Sequence, residues 1–121
     1  DSKAFEKGLN NTVTAHDLML IYEKLALGEI VDSKASQAMI DILLDQRINT
    51  IISSRLPDQV RVAHKTGNIT GVLHDSGIVF LPDGRKYVLV LLSKELKDPE
   101  GAKEALAKVS ELLCQHVVGN N

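Results

Sequence analysis

The apolar residues of this chain change their spacing twice, at Pro57 and again near Asp98, and that switch limits the fold more than any other feature. Before Pro57 they recur every three or four residues, as in helices with one buried stripe. Thr14, followed three residues later by Asp17, reads as a variant capping box ahead of AHDLMLIYEKLAL, where Leu18, Ile21 and Leu25 share a face until Gly28 stops the helix. Ser33 is placed to cap a second helix whose buried stripe is Ala35, Met39, Ile42 and Leu43, and INTIISSRLP reads as a short, poorly defined helical turn.

After Pro57 the period falls to two. VRVAHKT alternates, GVLHDSGIVFL is rich in branched residues, and KYVLVLLS follows a Pro-Asp-Gly turn at 82–84. Three strands are expected, the last two forming a hairpin. From Asp98 the helical period returns, with Pro99 at an early helix position and Ala102, Leu106, Val109, Leu113 and Val117 as the stripe that packs on the sheet. A mainly helical part (1–57), then three strands and a terminal helix (58–121), make an α+β domain with an antiparallel sheet. Three strands leave two edges with unpaired backbone groups, which invite a partner segment.

Length and composition narrow the function. A chain of 121 residues with 44% apolar content fits one domain with one modest core. A net charge of −2, no basic run and only two Tyr and two Phe leave no footprint for nucleic acid. No apolar stretch approaches the roughly 18 residues of a membrane span. The opening DSKAFEKGLNN has neither an initiator Met nor a signal-peptide pattern, so the expectation is a cut rather than a native start. The single cysteine, Cys114, excludes an internal disulfide and reads as a core thiol. His16, His64, His74 and His116 lack metal-like spacing, although His64 and His74 fall on adjacent strands and can approach each other. No metal or cofactor is expected. Lys103, Glu104, Lys108 and Glu111 read as a solvated face of the last helix.

The chemistry concentrates in HKTGNIT, residues 64–70. A lysine just before a hydroxyl and a glycine, on a strand with buried neighbours, can bind a carboxylate while the hydroxyl hydrogen-bonds it. The glycine lets a substrate lie against the backbone, and the next amide, at Asn68, can face a carbonyl oxygen as half of an oxyanion hole. A strand end with a solvated lysine is the plainer reading of the same three letters.

HKTGNITGVLHDSGIV, followed by the PDG hairpin, a strand and a terminal helix, resembles the C-terminal portion of class A β-lactamases and related penicillin-binding serine hydrolases. NNTVTAHDLMLIYEKLALGEIVD is similar to that family's helix after the omega loop, and LPDQVRVAHKTG to the approach to its Lys-Thr-Gly strand, so the likeness covers nearly the whole chain. The resemblance implies the β-lactamase-like fold and an extracytoplasmic bacterial protein, periplasmic or secreted. Its ligand would be a β-lactam or a peptidoglycan-stem-like small molecule. Lys65 and Thr66 would bind the substrate carboxylate and assist proton movement, Gly67 would give close approach, and the Asn68 amide would serve the oxyanion. The family's reaction is acyl transfer to a serine activated by a neighbouring lysine, found as Ser-x-x-Lys.

None of the eight serines here has Lys three residues on, and no Ser-x-Asn or Tyr-x-Asn occurs. The expectation is therefore the C-terminal part of a longer enzyme whose N-terminal half supplies the nucleophile and two more strands. The alternative is a noncatalytic peptide-stem binding or assembly module. Glu6, Leu9 and Asn10 spell the family's Glu-x-x-Leu-Asn deacylation motif, but only with an unusually short loop before NTVTAHD, so a coil or cap glutamate is the competing reading. Without that base the parent would acylate readily and deacylate slowly, like a penicillin-binding or peptidase-like hydrolase. The two positions where many members carry a carboxylate-binding arginine fall at Ser53 and Ser76.

Overall fold

A computed structural model describes residues 3, 6–8 and 12–120 of the chain. Their elements run α1 (Ala15–Ala26), α2 (Ser33–Leu44), β1 (Arg61–Ile69), β2 (Val72–Phe80), β3 (Lys86–Ser93) and α3 (Pro99–Gly119). The strands form one antiparallel sheet in the order β1-β2-β3. The α+β expectation holds, and so does the hairpin. A further tight turn, Thr70-Gly71 with φ +74° at the glycine, joins β1 to β2.

The helix caps show how local chemistry sets the boundaries. Thr14 Oγ1 accepts the Asp17 amide at 3.0 Å and opens α1, and Gly28 with φ +75° follows its end. For α2 the cap is Asp32, which accepts the Ala35 amide at 2.7 Å; Ser33, the expected cap, is the first helical residue. Asp98 caps α3 through the Gly101 amide at 3.1 Å, with Pro99 just inside. The far end of α3 is held by Arg85 of the β2–β3 turn, which donates to the carbonyls of Val117, Val118 and Asn120 while Asp83 pairs with it at 2.7 Å. A cation thus meets the negative end of the longest helix.

Two apolar layers sandwich the sheet. On one face α1 and α2 bring Tyr22, Leu25 and Ile40 against Ala63 and Ile78. On the other, α3 and residues 51–60 bring Ile51, Ile52 and Cys114 against Val62, Val79, Leu81, Leu89 and Leu91. Cys114 is the core thiol expected of it. The segment 45–60 is a succession of bends and turns with no helix, closed by Leu56 N to Ser53 O at 3.2 Å and Val60 N to Pro57 O at 3.0 Å.

Most of the expected stripe residues face inward: Leu25 is buried, and Leu18, Met39, Leu43, Leu106 and Val117 pack against the two layers, whereas Ile21, Ile42, Val109 and Leu113 do not. In α1 Tyr22 is buried while Ile21 is 53% exposed, and in α2 Ile40 is buried while Ile42 is 67% exposed. In α3 the inward residues are Ala107, Ser110 and Cys114, while Val109, Leu112 and Leu113 form an exposed apolar strip. Glu104 and Glu111 are not merely solvated: Arg55 reaches them at 3.0 and 3.5 Å and ties the 45–60 segment to α3.

Candidate active site along the first strand

Strand β1 changes character at its midpoint. Val62, Ala63 and His64 are buried, whereas Lys65 and Asn68 are exposed and Thr66 and Gly67 half-buried. It pairs only with β2, so among the described residues its outer edge carries unpaired backbone N–H and C=O groups. The register puts Lys65 opposite Ser76, Thr66 opposite Asp75, Gly67 opposite His74 and Asn68 opposite Leu73. Lys65 and Gly67 therefore share the face toward α1 and α2, and Thr66 shares the opposite face with His64. Lys65 Nζ donates to its neighbour's carbonyl, Thr66 O, at 2.7 Å, and no carboxylate among the described residues pairs with it. The outer half of β1 thus offers a cation and a hydroxyl on successive residues, on opposite faces of the sheet, with free main-chain groups along the edge between them.

Two glycines on this hairpin have different causes. A Cβ on Gly77 would lie 2.1 Å from Ala63 O and 2.7 Å from His64 Cα, so the fold itself requires glycine there. A Cβ on Gly67 would meet only ordinary contacts, 3.6 Å from His74 Cβ and 3.7 Å from its Cδ2. Packing among the described residues leaves Gly67 unexplained.

Behind Lys65 lies a buried polar network that spacing did not reveal. His64 and Asp75 are both wholly buried, and His64 Nδ1 meets Asp75 Oδ1 at 2.7 Å. They are diagonal neighbours on one face, and the missing side chain at Gly77, opposite His64, opens the space between them. Asp75 Oδ2 accepts the Ile52 amide at 3.0 Å, and Ile52 O accepts Ser110 Oγ of α3 at 2.7 Å. His64 Nε2 meets Asn49 Oδ1 at 2.9 Å. The signal available in the sequence was Asp75, an acid inside a strand of apolar neighbours, which a core tolerates only with partners.

The expected proximity of His64 and His74 does not occur. The register sets them on opposite faces, and His74 Nδ1 instead accepts the Ser93 amide at 3.2 Å. No group of three metal-ligating side chains occurs among the described residues, and none of their helices is long and apolar enough to cross a membrane. Ser76 is buried and donates to Tyr22 Oη at 3.1 Å, and Ser53 bonds Asn49 at 3.1 Å, so both arginine-equivalent positions are engaged within the chain. Burial pushes the Tyr22 phenol up, the Ser76 bond partly offsets this, and the Asp75 charge adds to it. Glu6 sits exposed in a helical turn near the start; Leu9 and Asn10 of its motif lie outside the described residues.

A family model for the beta-lactamase enzyme family matches residues 1–117. The chain belongs to the beta-lactamase enzyme family. A solved structure of PBP-A is similar at 31% identity and TM-score 0.82, covering 91% of this chain and 42% of that one. A PBP-A mutant solved as an acyl-enzyme complex with penicillin G is similar at 31% identity and TM-score 0.81. A β-lactamase from Chitinophaga pinensis shares the fold at 22% identity and TM-score 0.83, covering 96% of this chain and 46% of that one. A search of curated proteins gave no match. The chain thus spans less than half the length of these β-lactamase-family structures.

Proposed function

We propose that these residues are the C-terminal part, as one 1–121 segment, of a serine acyl hydrolase acting on β-lactams or D-Ala-D-Ala-like amides through an acyl-enzyme. Lys65 and Thr66 bind the substrate carboxylate and assist proton transfer, Gly67 admits the substrate against β1, and the Asn68 N–H is half of the oxyanion hole. The carrying observation is the Lys65–Asn68 run, exposed at its two ends and half-buried between, on an edge unpaired among the described residues, with a glycine that internal packing does not require, in a chain of this family. The acyl-enzyme of the similar PBP-A mutant with penicillin G supports the ligand class.

The serine nucleophile and its lysine come from residues outside these 121, since no Ser-x-x-Lys lies within them. Support for a covering partner half comes from the exposed strip Val109, Leu112 and Leu113 on α3 and from the outer edge of β3. An apolar strip beside an open sheet edge is what an added helix and strand would bury. By family membership the parent acts outside the cytoplasm. Glu6 is the candidate deacylation base. Without Glu6 in that role the parent would acylate readily and deacylate slowly, and with Ser53 and Ser76 in place of arginine its selectivity for the second carboxylate of the antibiotic is weak.

Intact mass spectrometry of the full-length protein after incubation with a penicillin tests this. A covalent adduct on a serine upstream of Asp1 is the expected result. Lack of any Ser-x-x-Lys upstream, together with reversible binding and no adduct, would leave a noncatalytic peptide-stem binding module.

A further inference from the structure

The reading of Lys65 and Thr66 as ligand-binding groups leaves His64 without a role, yet His64 is the most fully bonded residue of β1. Its ring is wholly buried, Nδ1 lies 2.7 Å from Asp75 Oδ1, and Nε2 lies 2.9 Å from Asn49 Oδ1. The orientation of the Asn49 amide follows from its other bonds: Nδ2 donates to Gln46 O at 3.0 Å, and Oδ1 also receives Ser53 Oγ at 3.1 Å. An oxygen therefore faces each ring nitrogen, and an oxygen acceptor calls for an N–H at both. A ring with one bare nitrogen would set lone pair against lone pair at Asn49.

Resting on the function proposed above, we propose that His64 is a positioning residue for Lys65 and Thr66. It is an imidazolium whose two N–H groups clamp the middle of β1 to Asp75 on β2 and to the irregular 45–60 segment. The clamp is continued by the Ile52 amide on Asp75 Oδ2 and by Ser110 of α3 on Ile52 O. Residues 45–60 have no regular structure, so side-chain bonds, not a helix or ladder, fix them beneath β1. Loss of the Nε2 proton would make Asn49 turn its amide and give up Gln46, loosening the support one residue before Lys65.

The groups facing His64 are few. Asp75 from β2 is the charged one, the 45–60 segment contributes Asn49 and Ser53, and α3 contributes Ser110 through Ile52, with Cys114 in the same layer. Tyr22, across the sheet, feels the Asp75 charge. Lys65, adjacent in the chain, projects to the opposite face.

The test uses the full-length protein with a fluorescent penicillin, together with nitrogen NMR of labelled histidine. Both ring nitrogens of His64 are expected to carry the N–H signature that the two facing oxygens call for. His64→Gln and Asp75→Asn are expected to lower the acylation rate per folded molecule about 10- to 100-fold, as small misplacements of binding groups do. Asn49→Ala, at an exposed loop position, should give a smaller loss of the same kind and keeps the test open where a core variant fails to fold. A ring with only one N–H, or variants with the wild-type rate, would overturn the positioning role. Failure of the wild type itself to acylate would instead overturn the proposed function.

Discussion

Inner and outer halves of β1 differ in how completely the fold accounts for their residues. From Arg61 to His64 each special feature has an internal cause: Gly77 is glycine because Ala63 O and His64 lie where its Cβ would be, and His64 has an oxygen at each nitrogen. From Lys65 to Asn68 the internal causes run out. Among the described residues the lysine hydrogen-bonds its neighbour's carbonyl and no other group, and Gly67 has room for a side chain. The contrast teaches that a residue type the surrounding packing does not require marks the surface that meets something else.

That contrast can be broken by substitution. The largest effect is expected from Asp75→Ala, which strands the His64 ring and the Ile52 amide in the core; breaking a buried charge pair from one side costs about 3–5 kcal/mol. Gly77→Ala should cost about 3 kcal/mol, since backbone rather than a flexible side chain blocks the new methyl. Its counterpart Gly67→Ala should cost less than about 1 kcal/mol, at the scale of an ordinary surface strand substitution, while strongly reducing acylation. Urea melts of the pair give a direct reading, and equal destabilisation would erase the distinction between the halves.

How much of this was legible beforehand depended on whether apolar patterning could see it. The element order, the hairpin and the caps at Thr14 and near Pro99 follow from local chemistry and appear as expected. The helix faces were read correctly except at four stripe positions, which failed for one reason. Each helix is apolar on more than one side, so Ile21, Ile42, Val109 and Leu113 match the period as well as the residues that are buried. The strip left outside is the surface proposed to meet the N-terminal half. Ser36, Ser110, His64 and Asp75 are buried by long-range bonds, to Ile30, to Ile52 and to one another, and no hydropathy period detects such partners. The Lys65–Asn68 run was readable because its candidate groups stand on consecutive residues; Asn49, 16 residues upstream of Lys65, was not.

Smaller effects sharpen the account of the core around these halves. Tyr87 Oη is buried with no hydrogen-bond partner among the described residues, and burial, then Cys114, pushes its phenol well above the ordinary value of 10.0. Tyr87→Phe should therefore stabilise by about 1 kcal/mol, because an unsatisfied polar atom is removed from the core. Above pH 10 the unfolded phenol gives up its proton while the folded one keeps it, so stability falls as pH rises from 10 toward the folded value, and the variant's alkaline decline should be shallower. At the acid end, the Arg85 bond holds Asp83 below its ordinary 3.8 and the Lys108 bond holds Glu111 below 4.5. Their stabilisation is full above those values and lost as pH falls through the lower folded ones. Both sites are solvent-screened, so thermal melts from pH 5 to pH 2 should show only a slight difference between the wild type and Asp83→Asn.

The most direct test of the central claim is the penicillin acylation rate of the full-length protein and its Lys65→Ala variant, set beside their thermal melts. Loss of a preorganised charge at the site should slow acylation about 100-fold or more. Melting should stay close to wild type, because Lys65 is exposed and bonds only the Thr66 carbonyl. A variant that acylates at the wild-type rate, or that loses stability in step with activity, would make Lys65 structural and contradict the account.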